Sequence, residues 1–212
     1  MITLSDVSKK YNGKAIFNHL NIAFHHCELN FLLGKNGVGK TTLFKCIMGL
    51  EDYSGNISVN REKLFCIYDD TPFYSDLSGY QNILLFSKIY QISGKIDVDY
   101  TLLDKDLLKK KVKTYSYGQR KKLAIMMVNI INPDVLLLDE ITNGLDYETI
   151  KYLKRQFIFW KKDKIIVATG HQLEFYNSLI DQVFIIKNKT AFKLSTAVKG
   201  SNLEEIYEEC LE

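Results

Sequence analysis

Gly34-Lys35-Asn36-Gly37-Val38-Gly39-Lys40-Thr41-Thr42 fits the pattern G-x-x-x-x-G-K-[ST]. It follows the apolar run Leu29-Asn30-Phe31-Leu32-Leu33 and opens a helical pattern over residues 41–50 that stops near Gly49. A buried strand, a glycine-rich turn and a helix in this order suit a polyphosphate. Glycines let backbone N–H groups turn inward without Cβ clashes, and the helix N-terminus adds partial positive charge. Within the loop, Gly34, Asn36, Gly37, Gly39, Lys40, Thr41 and Thr42 are the expected ligand residues. The Lys40 ammonium would neutralise β and γ phosphates, and the Thr41 hydroxyl would ligate Mg²⁺. A glycine-rich turn without a ligand is the alternative, and the strand and helix around it weigh against that. Nucleoside triphosphate binding is the expectation.

Working outward, Val135-Leu136-Leu137-Leu138-Asp139-Glu140 reads as a buried strand ending in two acids. Carboxylates at the C-terminal end of a parallel strand lie on the side where ligands bind. Asp139 is the expected metal-holding acid, and Glu140 the general base that polarises water. Such acids can also belong to a plain turn. Further strands are expected at 57–59, 64–68, 165–168 and 183–186, with helices alternating among the later ones, as a parallel sheet requires. Residues 2–24 alternate as antiparallel strands joined at Asn12-Gly13. Residues 78–131 lack strand patterning and read as an inserted helical lobe. The fold class is α/β: a P-loop NTPase with a mostly parallel central sheet, an N-terminal antiparallel β lobe and an inserted helical subdomain.

Composition narrows the function. The 212 residues are 46% hydrophobic and 25% charged, which suits a single globular domain over 1–212 and excludes a disordered or collagen-like chain. The longest apolar stretch, 123–131, is interrupted by Asn129 and cannot span a bilayer. The first residues carry no charged leader before an apolar core, so a cytoplasmic location is expected. Four dispersed cysteines form neither a disulfide framework nor a zinc pattern. Net charge is +3, but the last twelve residues hold five Glu and no Lys or Arg, leaving the first 200 at +8. Lys outnumbers Arg 25 to 3, a poor composition for reading guanines, so no nucleic-acid partner is expected.

Tyr115-Ser116-Tyr117-Gly118-Gln119, opening a helical stretch just before the acidic strand, resembles the L-S-G-G-Q signature of the nucleotide-binding subunits of ATP-binding cassette (ABC) transporters. With the two preceding motifs in order, the chain resembles that family over residues 2–195, the acidic tail standing outside. The resemblance implies an ABC ATPase cassette that clamps ATP head to tail with a second nucleotide-binding subunit, as a homo- or heterodimer. Ser116, Gly118 and Gln119 would contact ATP bound by the other subunit. Tyr11 matches the aromatic that stacks on adenine, Asp146 in Asn143-Gly144-Leu145-Asp146 looks like the D-loop acid, and His171 looks like the switch histidine facing the γ-phosphate. Taken singly, Tyr11 reads as a surface aromatic and His171 as a loop histidine.

Departures from the family's pattern are equally specific. Where the family places Gln after the strand ending at Tyr68, this chain has Asp69-Asp70; Asp69, or Asp70 one residue on, is the expected metal ligand, with a turn cap as the alternative. Tyr117 replaces a signature Gly, Ile141 a common Pro, and Gly170 a common hydroxyl residue before the histidine. The implied function is ATP hydrolysis powering transport by a separate transmembrane permease subunit, from the inner face of the cell membrane. Export of peptide, drug or antibiotic is the direction suggested by resemblance to small bacterial exporters. Pro72, Phe73, Tyr74, Leu77, Tyr80, Leu84 and Phe86 would line the groove for the permease, or belong to the helical core. Lys105, Lys109, Lys110, Lys111 and Lys113 would face lipid headgroups or simply solvent. Competing functions are a non-transport cassette ATPase acting on DNA or ribosomes, and a binding-only partner in a heterodimer.

Overall fold

The computed structural model describes residues 1–68, 73–194 and 202–211, so the expectations for Asp69, Asp70 and Pro72 fall outside the described residues. The chain opens with β1 (Ile2–Tyr11) and β2 (Lys14–Phe24), an antiparallel pair. Their two-residue turn holds Asn12 and Gly13 at φ 48° and 79°, the left-handed pair whose twist matches a tight hairpin. Then come β3 (Glu28–Leu33), α1 (Lys40–Met48), β4 (Ser54–Ser58) and β5 (Leu64–Ile67). The helical lobe holds α2 (Gly79–Ile89), α3 (Lys105–Lys109) and α4 (Tyr117–Ile131). It is helical only in part, because residues 90–104 link α2 to α3 in irregular form. The remainder is β6 (Val135–Leu138), α5 (Tyr147–Trp160), β7 (Ile165–Ala168), α6 (Leu173–Tyr176), β8 (Gln182–Lys187), β9 (Thr190–Lys193) and α7 (Leu203–Leu211).

Two sheets result. The small one runs β2-β1-β4, all antiparallel; the large one runs β5-β6-β7-β3-β8-β9, parallel except for β9 against β8. Alternation along the parallel strands divides the interior. Leu29, Phe31, Leu33, Leu136, Leu138, Ile166 and Ala168 face one core, shared with α4 and α5. Leu32, Val135, Leu137, Ile165 and Val167 face the other, shared with α1 and the small sheet. Both faces are covered, so the strands are largely apolar, with the buried Asn30 of β3 an exception that donates to Ile166 O at 3.1 Å.

One strand expectation needs correction. The strand placed at 57–59 begins at Ser54, because pairing with β1 extends through polar residues that show no alternation. The acidic tail, which stands outside the stretch that carries the family resemblance, forms α7: its acids face out, and Leu203, Ile206 and Leu211 are buried in the main core. Its first turn is tied to the segment after α6 by Leu203 N donating to Asn177 Oδ1 (3.0 Å), its last to β8 by Lys187 Nζ donating to Cys210 O (2.6 Å). Among the described residues, no helix is long and apolar enough to cross a membrane.

Candidate active site

Strands β3, β6 and β7 lie side by side, so the segments leaving their C-terminal ends converge. The loop after β3 is built for glycine. A Cβ at Gly34 would meet Val38 Cγ1 at 2.8 Å and Ile186 O at 2.9 Å; one at Gly39 would meet Ile16 Cγ2 at 2.6 Å, at φ +111°. Lys40 is buried, its ammonium donating to Gly34 O (2.6 Å) and Lys35 O (3.2 Å). Burial lowers its pKa, partly offset by Asp139 and Glu140. The first turn of α1 has no acidic residue, leaving its N-terminal N–H groups and partial charge for an anion.

One residue on, the Thr41 hydroxyl donates to Asp139 Oδ2 at 2.5 Å, while the Thr169 hydroxyl donates to Asp139 Oδ1. Strand-to-strand pairing fixes Asp139 further, through its N–H on Ile67 O at 2.8 Å. Glu140 takes φ +50°, a left-handed conformation that costs a glutamate roughly 1–2 kcal/mol. The surroundings hold it there. Its N–H donates to Thr169 O (3.2 Å), and its own carbonyl accepts from Asn143 N (3.2 Å) and from Lys121 Nζ. Its carboxylate accepts from Asn143 Nδ2 (2.6 Å) and lies 3.0 Å from His171 Nε2. Lys40, Thr41, Asp139, Glu140 and His171 thus form one cluster. A pocket of about 160 Å³ beside it is lined by Gly34, Lys40, Gly170, His171, Leu173 and, from α7, Tyr207.

Other expected residues sit nearby in distinct settings. Tyr11 ends β1 with its phenol against Glu51 and Thr42, and burial is the main cause of its raised pKa. Lys9, held by Glu51 at 2.9 Å, lies 4.4 Å from the Tyr11 ring centroid and so occupies one face. Ser116 caps α4, its Oγ accepting from Gln119 N (3.2 Å) while Gln119 Oε1 accepts from Ser116 N (2.8 Å). A Cβ on Gly118 would stand 2.7 Å from Gly144 O, and one on Gly144 2.5 Å from Tyr117 Cδ1. The signature and the D-loop therefore touch backbone to backbone. Tyr117, in place of a glycine, packs over that contact and takes the Lys121 ammonium 4.8 Å from its ring centroid. Ile141, where a Pro is common, is fully buried.

Asp146 caps α5 through Thr149 N (2.9 Å) and is bonded by Lys122 Nζ (2.5 Å), which together hold its carboxyl down at about 2. A depressed carboxyl stabilises above its unfolded value near 3.9 and loses that contribution as pH falls toward about 2. Asp146 is more than half exposed, so solvent screening keeps the effect below about 1 kcal/mol. Asp146→Asn, which retains a capping oxygen, lowers the urea midpoint at pH 7, and the difference shrinks at pH 3. An equal difference at both pH values would remove the charge from the explanation.

Reading the sequence did not single out Thr169, Lys121, Tyr176 or Tyr207. Thr169 directly follows a buried strand beside the acidic one, which is the sole sequence signal among them. Of the groove residues, Phe73, Tyr80 and Phe86 pack on the helical core while Tyr74 and Leu84 are exposed. The lysine series is largely engaged locally, with Lys109 on Asp106 (2.8 Å), Lys113 on Asp76 (2.7 Å) and Lys105 over Tyr100.

A phosphate-cradling loop, a Thr–Asp pair and a glutamate–histidine pair at the ends of adjacent parallel strands define a nucleoside triphosphatase of the P-loop class. A family model described as ABC transporter matches residues 17–143. The bacitracin transport ATP-binding protein of Bacillus licheniformis is 32% identical over 88% of this chain and 66% of its own length. The lantibiotic transport ATP-binding protein of Streptococcus pyogenes is 31% identical over 98% and 96%. Two solved structures share the fold. An ATP-binding subunit of an ABC transporter superposes with TM-score 0.88 at 23% identity, over 99% of this chain and 98% of that one. A dimeric ATP-binding cassette in a post-hydrolysis state, bound to ADP and Pi, gives 0.77 at 19%, over 92% and 100%. The chain belongs to the ABC transporter family, as one of its ATP-binding subunits.

Proposed function

We propose that this chain hydrolyses ATP in a head-to-tail pair of cassettes to drive a separate membrane-spanning subunit, in the direction of export of a peptide or antibiotic. The observation that carries the reading is the contiguous cluster of Lys40, Thr41, Asp139, Glu140 and His171 at the strand ends. In this reading Lys40 holds the β and γ phosphates with the loop N–H groups. Glu140, oriented by Asn143, takes the proton of the attacking water through the carboxylate that also meets His171. His171 supports the γ-phosphate from the opposite side of that carboxylate. The Thr41 hydroxyl and Asp139 carboxylate, 2.5 Å apart, are the hard oxygen donors that suit Mg²⁺, which would supply charge neutralisation at the phosphates. Tyr11 stacks adenine on the ring face that Lys9 leaves open.

The signature residues serve the partner's nucleotide. Ser116 Oγ already accepts from Gln119 N, so its O–H is the part that donates outward, beside the bare Gly118 at the start of α4. Export is supported by the bacitracin and lantibiotic transport relatives, and the exposed Tyr74 and Leu84 supply apolar area for a membrane partner. The chain would then work on the cytoplasmic face of the membrane. Two measurements test this. ATP turnover per chain rises with protein concentration if two chains form each site, and a flat dependence would overturn the paired arrangement. Affinity capture from detergent-solubilised membranes of the source cells recovers a multi-span protein; recovery of soluble proteins alone would overturn the transporter role.

A further inference from the structure

The ring of Tyr176 occupies the space beside Gly170. A Cβ at Gly170 would lie 2.8 Å from Tyr176 Cε2 and 3.2 Å from its hydroxyl oxygen, so a side chain at 170 and this ring exclude each other. Tyr176 is fully buried, its ring tilted against Phe31 at 4.6 Å and edge-to-face with Phe175 at 4.8 Å and Phe157 at 6.0 Å. Its hydroxyl, which also lies against the Thr142 side chain, donates to Thr169 O at 3.3 Å. That carbonyl is also the acceptor for the Glu140 N–H at 3.2 Å, and the same residue's hydroxyl binds Asp139. Burial raises the phenol's pKa, which keeps it a donor.

We propose that Tyr176 is a positioning residue for hydrolysis: through the Thr169 carbonyl it fixes the backbone of Glu140, and through its ring on Gly170 it fixes the approach of His171. The proposal rests on Glu140 acting as the base. Glu140 takes a left-handed backbone that its bonds to Thr169, Asn143 and Lys121 hold, and the Thr169 carbonyl among them is the acceptor that Tyr176 shares. Tyr176 is fully buried and reaches the site only through Thr169 and Gly170, so it acts on turnover and not on binding. Gly170 is the counterpart that makes room for it.

Tyr176→Phe keeps the ring and removes only the hydroxyl. The expected result is a kcat about 3- to 10-fold lower, the scale of one buried hydrogen bond, with KM for ATP within about twofold of wild type. In a Glu140→Gln background the same change adds nothing further. Gly170→Ser forces the ring away and lowers kcat in the Tyr176 chain, and it does less harm in a Tyr176→Leu chain, where the ring is gone. An unchanged kcat in Tyr176→Phe, or kcat falling and KM rising together, overturns the proposal. So does a loss that persists undiminished beside Glu140→Gln, or additive losses for the 170 and 176 changes. Full activity of Glu140→Gln by itself would overturn the base assignment instead, and leaves the Gly170–Tyr176 exclusion standing.

Discussion

Glu140→Gln lowers the rate of ATP hydrolysis by about 10²- to 10⁴-fold while leaving ATP binding intact, the range associated with loss of a positioned general base. The amide keeps the shape that Asn143 and His171 contact at 2.6 and 3.0 Å, and nothing in the backbone changes. What is lost is the negative oxygen able to accept a proton. With hydrolysis blocked and binding preserved, ATP accumulates at the seam between two chains, and the pair becomes the favoured species. Size-exclusion chromatography of Glu140→Gln with ATP and Mg²⁺ should show a dimer, and wild type under the same conditions a monomer or a mixture. A monomer at high protein concentration would sink the head-to-tail arrangement. Turnover close to wild type would sink the base.

Lys40→Ala reduces ATP affinity by roughly 10²-fold, equivalent to about 2–3 kcal/mol for hydrogen bonds to a charged group. AMP affinity hardly changes, since AMP offers no β or γ phosphate for the ammonium. The side chain is nearly inaccessible at 8% exposure and folded over its own loop, so the charge is delivered from a fixed position at little entropic cost. Calorimetric titration with both nucleotides separates this from a packing effect. Alanine also leaves the Gly34 and Lys35 carbonyls without their ammonium, and if that disorder were the whole effect both nucleotides would lose affinity alike.

Those two residues were legible in the sequence because their chemistry is tied to a local pattern. The strands β3, β6 and β7 were legible for a related reason: four to six apolar residues bounded by polar ones describe a strand covered on both faces. The edge strand β9 escaped because three of its four residues are polar or exposed and it pairs only with β8. Helix α7 escaped because four glutamates dominate its nine residues, although Leu203, Ile206 and Leu211 mark one face. In the site, Thr169 and Tyr176 act through bonds between neighbouring strands and through a clash with an absent side chain, and neither leaves a spacing to read. Lys121 carries no sequence signal of its own, and only the fold shows it buried against Glu140.

Lys121 and Lys122 are adjacent on α4, yet one reaches the carbonyl of Glu140 and the other the carboxylate of Asp146. The segment between those two acids is therefore clamped at both ends to a single helix, with Gly118 pressed on Gly144 partway along. A rigid body of this kind cannot be loaded at one point without moving at the others. If two cassettes pair head to tail as proposed above, the first turn of α4 would face the nucleotide of one site while the segment clamped to the same helix would carry the proposed base, Glu140, of the other. On that arrangement, nucleotide at one site would bear on the base of the other through side chains of neighbouring residues on one helix turn.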